Sequence, residues 1–194
     1  MIYGWQRYLG IEQDFLKAQF YVSFDLKEVY SEFFSREVIL LGAEIEAAFK
    51  ELCRRINGAE PSNIGDYKRI ILGEYPGLVN TYVRNKQSNE NQYPFREWDS
   101  GPLTWWRIYI DTKHNLVDRA ATLGVALTML QAYELLIFCI EATRGSFRIS
   151  YLEQPKLFIP EFQPGFAMID RMQAVHFYDG TALREKLKQM TQND

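Results

Sequence analysis

The spacing of apolar positions divides the chain into a few elements. Ile11 to Gln19 has the make-up of a short helix, and Phe20-Tyr21-Val22-Ser23-Phe24 is an aromatic, β-branched run suited to an extended segment. From Ser31 to Asn57 the residues Phe34, Val38, Leu41, Ile45, Ala48, Leu52 and Ile56 recur every three or four positions. That spacing predicts one long helix with a single apolar stripe. Ser31 is placed to cap its start and Gly58 to end it. The polar stretch GAEPSNIGD leads to shorter helices over Tyr67–Leu72 and Gly77–Val83. Residues Arg84 to Gly101 are polar, with a proline and a glycine, and read as a long exposed loop.

The second half begins with the greasiest part of the chain. Leu116 to Ala142 is apolar nearly all round, which predicts a buried central helix, with Asn115 as its N-cap and Asp118 in its first turn. Beyond Gly145, Phe147, Ile149 and Tyr151 alternate with Arg148 and Ser150, a strand pattern. Pro155, Pro160 and Pro164 forbid a continuous helix, and Met168 to Tyr178 is ambiguous. Asp179-Gly180 marks a turn, after which Thr181 caps a last amphipathic helix to Met190. No internal repeat interrupts this order. The pattern predicts an all-α or mainly α bundle over residues 1–145, with residues 146–194 forming a small irregular or β-containing extension packed on the same domain.

Composition narrows the function. With 22 basic against 25 acidic residues the net charge is −3, which disfavours a generally cationic nucleic-acid binder while leaving room for a local basic patch. Thirteen Phe, twelve Tyr and four Trp exceed what a minimal core needs, so some should serve surfaces or interfaces. Cys53 and Cys139 lie in apolar helical patterns without C-x-x-C spacing and read as buried free thiols of a reducing compartment, a lone disulfide being the weaker alternative. The N-terminus lacks an apolar signal core, and the stretch Ala120 to Ile140 is interrupted by Glu134. Its uncharged runs fall short of the roughly 18 residues of a membrane span. The expectation is a soluble, cytoplasmic protein that does not engage a membrane.

Candidate chemistry centres on one short segment, because the chain has only two histidines. If WWRIYIDTKHNL is helical, Arg107, Asp111 and His114 stand at i, i+4 and i+7 on one face. If a new helix instead starts after Asn115, His114 sits at its N-terminus, where the dipole favours a neutral imidazole. Either geometry gathers a cation, a carboxylate and an imidazole, the set that phosphoryl transfer requires. The plain alternatives are a surface Arg107–Asp111 ion pair, a helix-entry role for His114 and a structural His176. Arg54 and Arg55 suit a solvated helix end. Glu44 borders the apolar stripe, so its carboxylate needs a cation or donor, structural or catalytic. Asp111-x-x-His114 is a single acid–histidine pair, whereas a di-iron bundle wants two. No zinc spacing, P-loop or dinucleotide fingerprint occurs, so no metal or other cofactor is expected.

The R-x6-H spacing from Arg107 to His114 resembles the motif of the HEPN superfamily, all-helical domains that carry it near the start of a long helix. The wording around it resembles a group of bacterial HEPN-like proteins. It consists of Trp105-Trp106 with Tyr109, Lys113-His114, and the A-T-L-x-x-A-L run from Ala121 to Leu127. In the first long helix the matching residues are Ser35, Glu37, Leu41, Glu44, Ile45, Glu46, Phe49 and Lys50. The likeness covers residues 25 to 142. It implies a homodimer with a shared site, and a metal-independent endoribonuclease of toxin–antitoxin or phage-defence systems that cuts RNA by attack of the ribose 2′-hydroxyl. His114 would then act as general acid or base and Arg107 would hold the scissile phosphate. Glu44 and Asp111 would orient them or bind across the interface, and Lys113, Trp106 and Tyr109 would contact substrate. An antitoxin or other regulatory protein would be the natural partner. The superfamily also has members without nuclease activity, so the alternative is a non-catalytic module that binds a protein partner or a nucleotide. A purely structural interaction protein is the third possibility.

Overall fold

In a computed structural model covering residues 3–115, 119–143 and 154–161, the long helix is built as its sequence signals direct. Helix α2, Glu32–Asn57, starts at Ser31, whose Oγ accepts from the Phe34 N–H at 3.2 Å. It ends at Gly58, whose φ of 74° needs a residue without Cβ strain. Helix α1 spans Trp5–Ala18, a turn and a half longer than predicted, because Trp5, Tyr8 and Leu9 are buried and extend its apolar face backwards. The Phe20–Phe24 run is not extended. Tyr21 and Val22 N–H groups bond back to the Ala18 carbonyl, so the chain turns here and leaves Phe20 and Tyr21 on the surface.

Helix α3, Ile64–Glu74, is capped by Asn63, and a single 3-10 turn follows at Pro76–Asn80. The helix predicted to Val83 stops there. Pro76 opens the turn, and the Thr81-Tyr82-Val83 run then favours strand β1, Tyr82–Asn85. The long exposed loop expected from Arg84 to Gly101 is mostly structured. Strand β2, Asn91–Gln92, pairs antiparallel with β1, and Asn85 Oδ1 accepts from the Gln87 and Ser88 N–H groups to form the turn between them. A second 3-10 turn, Arg96–Asp99, buries Phe95 and Trp98.

Helix α4 is Thr104–His114 and helix α5 is Leu123–Ala142. The central helix therefore starts later than its sequence suggests. Asn115 ends α4, while Thr122 caps α5. What decides this is remote in sequence: the Leu123 and Gly124 N–H groups donate to the Val29 and Lys27 carbonyls at 2.9 and 2.8 Å. Strand β3, Phe158–Glu161, completes an antiparallel sheet of order β2-β1-β3. Pro160 sits opposite Val83 at the sheet's edge, where a missing N–H is tolerated. β structure is thus not confined to the C-terminal extension, and the fold is mainly α with a small sheet. The predicted strand Phe147–Tyr151, the ambiguous run Met168–Tyr178, the helix from Thr181 to Met190, His176 and Pro164 lie outside the described residues.

Every residue from Met129 to Ala142 is buried, and α5 packs most extensively on α2. By length and composition α5 could cross a membrane, yet 83% of that window is covered by the rest of the protein, which makes it a core helix. Cys53 and Cys139 are buried free thiols, and burial pushes them up to about 11 and about 12. Helix α4 docks on α2 through a close approach: a Cβ added to Gly42 would stand 2.0 Å from the Tyr109 ring. An aromatic cluster extends that contact, with Phe49 stacked on Tyr67 and Trp98 at 5.2 and 5.5 Å.

Glu37 of α2 is buried, and its Oε2 has no hydrogen-bond partner among the described residues. Burial, with Asp14 adding repulsion, pushes its carboxyl up to about 7. A carboxyl raised on folding favours the native state while it stays protonated. Its unfavourable contribution grows as pH rises from the ordinary value of 4.5 through about 7.

Four variants test these contacts by denaturant unfolding. Leu130→Ala, at a fully buried position of α5, should cost about 2–5 kcal/mol, whereas His114→Ala on the surface should change stability by less than about 0.5 kcal/mol. Gly42→Ala should cost at least about 2 kcal/mol, because the Tyr109 ring must move. Glu37→Gln should match the parent at pH 4 and exceed it by up to about 3 kcal/mol at pH 8.

Candidate functional site

Helix α4 presents the predicted constellation on a fixed support. Its start is held by Glu97, whose carboxylate accepts from the Thr104 N–H and Oγ1, both at 2.6 Å. Its inner face carries Trp105, buried with Nε1 donating to the Pro94 carbonyl at 2.7 Å, and Tyr109. One face remains for solvent. Arg107, Asp111 and His114 are all exposed on it, at the i, i+4 and i+7 positions of a continuous helix. Among the described residues none of the three side chains has a hydrogen bond or ion pair, so the expected alternative of an Arg107–Asp111 surface pair is not formed. His114 is the last residue of α4, at the negative end of the helix dipole. The argument for a neutral imidazole at a helix N-terminus therefore does not apply.

The other predicted site residues are distributed differently. Lys113 is exposed, with Nζ 5.5 Å from the centre of the Tyr109 ring. Tyr109 itself is 1% exposed, so its ring is a packing contact on Gly42 and not a surface for substrate. Trp106 is half-buried and packs on Phe49 and Tyr109, at 5.6 and 5.2 Å. Glu44 does not join the α4 group. Its Oε1 pairs with Arg7 at 2.7 Å and its Oε2 accepts from Tyr133 at 3.1 Å, on the α1–α5 side of α2. Two residues on, which is roughly 200° around a helix, Glu46 faces α4 instead. It accepts from Lys50 at 2.8 Å and from the Tyr109 hydroxyl at 3.5 Å. Lys50, and more weakly Lys113, hold its carboxyl below the usual range. Glu46 is thus the α2 carboxylate nearest the candidate site, and it stood in the same E-I-E motif as Glu44.

A buried acid pair, Glu134 and Glu12, lies elsewhere in the bundle and has no motif in the sequence. Glu134 of α5 is fully buried, and neither carboxyl oxygen has a hydrogen bond of normal geometry among the described residues. Burial first, and the neighbouring Glu12 second, push its carboxyl well above the ordinary range. Glu12 accepts from the Lys156 and Leu157 N–H groups, both at 2.7 Å, and Lys86 Nζ donates to the Pro155 carbonyl. These contacts clamp the start of β3 against α1. The only trace in the sequence was a charge interrupting an apolar helix.

Among the described residues, cavities flank the bundle, and two of them are described by their walls. One, of about 670 Å³, lies between the α1–α2 connection, the β1–β2 turn and α5. The other, of about 640 Å³, lies between α4 and the start of α5, with Ile108 and Arg119 in its wall. Neither contains Arg107, Asp111, His114 or Glu44. Among the described residues no three His, Cys, Asp or Glu side chains are grouped to hold a metal ion. Comparison with family models, with curated proteins and with solved structures yields no match to this chain.

Proposed function

We propose that this chain is a HEPN-like helical protein that works as a cytoplasmic homodimer and cleaves RNA without a metal, in a toxin–antitoxin or phage-defence setting. The observation that carries the reading is the exposed face of α4. There Arg107, Asp111 and His114 project together without a partner among the described residues, although a cation and a carboxylate four residues apart would ordinarily pair. A set of complementary groups left open on a rigid helix suits a ligand that supplies the missing partner. A phosphodiester does so: Arg107 and Lys113 would offset its charge and Asp111 would orient the imidazole.

In this reading the ribose 2′-oxygen attacks the adjacent phosphorus while one His114 takes its proton. The bond from phosphorus to the 5′-oxygen breaks as that oxygen receives a proton from the second subunit's imidazolium. The products are a 2′,3′-cyclic phosphate and a 5′-hydroxyl. A second reading, a non-catalytic module for a protein partner or nucleotide, is favoured by the engagement of Glu44 with Arg7 and Tyr133 and by the solvent exposure of Arg107 and His114.

Incubation of the purified protein with mixed RNA in excess EDTA decides between them. The nuclease reading expects fragments with 2′,3′-cyclic phosphate ends, reduced at least about 100-fold by Arg107→Ala and by His114→Ala. Equal cleavage by both variants overturns the assignment, and RNA left intact by the dimeric protein favours the binding module.

A further inference from the structure

The 670 Å³ cavity has a lining unlike the rest of the surface. Five carboxamides meet there: Gln19 from the end of α1, Asn85 and Gln87 at the β1–β2 turn, Gln92 of β2, and Gln131 of α5. Its volume falls within the range of small-molecule sites, roughly 300–1,000 Å³. Gln19 and Gln87 bond to each other through both amides, which ties the α1 end to the hairpin turn and fixes the width between the walls. The Asn85 oxygen is used by the turn itself. Gln92 and Gln131 are different. The Oε1 of each is buried and has no donor among the described residues.

Gln131 stands on the floor, 1% exposed, in a helix whose neighbouring positions are apolar. A buried acceptor left without a donor is costly, and a ligand N–H removes that cost. The charged lining adds acceptors and no free cation. Lys27, a wall residue, is held by Glu90 at 2.6 Å, and Asp25 accepts from Ser23 at 3.2 Å. The two open acceptors therefore favour a ligand with N–H donors, and the site has no unpaired lysine or arginine in its wall to offset a phosphate charge. At the rim Phe20 and Tyr21 are each 87% exposed, adjacent aromatic faces on which a flat ring can stack.

We propose that this cavity binds a guanine-type ring, a planar uncharged heterocycle whose adjacent N–H donors meet the Gln92 and Gln131 carbonyl oxygens while its face stacks on Tyr21. The ring is either that of a free nucleoside or an unstacked base of single-stranded RNA. Guanine carries a ring N–H beside an exocyclic amino group, whereas adenine presents an acceptor at the corresponding ring position. The proposal does not depend on RNA cleavage.

Calorimetric titration with guanosine, adenosine and guanosine monophosphate tests it. Saturable one-to-one binding of guanosine is expected, with adenosine weaker by at least about tenfold and the monophosphate no tighter than guanosine. Gln131→Leu and Tyr21→Ala should each weaken guanosine at least about tenfold. Tyr21 is a surface residue, so its variant decides the matter if Gln131→Leu does not fold. Arg107→Ala and His114→Ala should bind guanosine like the parent, which keeps this result separate from that of the RNA cleavage experiment. Displacement of guanosine by a short RNA containing a single G assigns the base to RNA, and binding without displacement assigns it to free nucleoside. Absence of saturable guanosine binding at millimolar concentration, adenosine bound as tightly, or unchanged affinity in Tyr21→Ala overturns the proposal.

Discussion

The structure is organised by the need to cover α5 on every side. A helix apolar all round gains nothing from one neighbour, since any uncovered side leaves apolar surface in water. Helix α2 takes the longest flank, and α1, α4 and β3 close the others. The same demand extends to the helix ends. The first N–H groups of α5 donate to the Val29 and Lys27 carbonyls, so the α1–α2 connection must fold back over them. Coverage also traps polar groups. Glu134 is sealed beneath α1 and β3, and Glu12 beside it is released from repulsion only while Glu134 stays protonated. Glu12 can then hold the Lys156 and Leu157 amides. One burial requirement thus sets the bundle, the turn-back of the connection and the attachment of the edge strand.

The exposed face of α4 is a by-product of that packing. Helix α4 touches α2 at Gly42, where the Tyr109 ring lies against the backbone, and it joins the aromatic cluster through Trp105 and Trp106. With its inner side committed to aromatics, the only place for Arg107, Asp111 and His114 is the outer side. Their co-location follows from helical period alone. Their freedom from partners depends on which neighbours α2 offers. Glu46 is taken by Lys50 and Tyr109, and Glu44 points away toward Arg7 and Tyr133.

How much of this was legible in the sequence depended on the range of the deciding interaction. Helix α2 was readable because both its caps and its stripe are local. The burial of α5 was readable because its composition leaves no polar side. Its start was not, since Asn115 and Thr122 are both acceptable caps and the choice fell to carbonyls almost a hundred residues earlier. Strand β1 has four residues and β2 two, too few to establish an alternation, and Phe95 and Trp98 are single aromatics in a polar stretch. The α4 constellation was visible as spacing, whereas the carboxylate that accompanies it was not. Glu44 and Glu46 flank the same stripe, and only the packing of α4 distinguishes them. The carboxamide cavity was invisible, because its five residues come from four separate segments and share no motif.

Exposure also limits what α4 can do alone. In open water an arginine and a phosphate attract by only about 1 kcal/mol at contact distance, and salt weakens even that. Catalysis by such groups gains most where water is excluded and the dipoles are fixed before the reaction. The described chain provides the fixing, through Glu97 at the start of α4 and Gly42 beneath it, and leaves the groups in solvent. Under the proposed nuclease reading, cleavage at this face would require a second surface over it, and a second copy would supply a cover that also doubles the imidazoles. A chain that stayed monomeric at working concentration would have the right side chains in an environment too wet to use them.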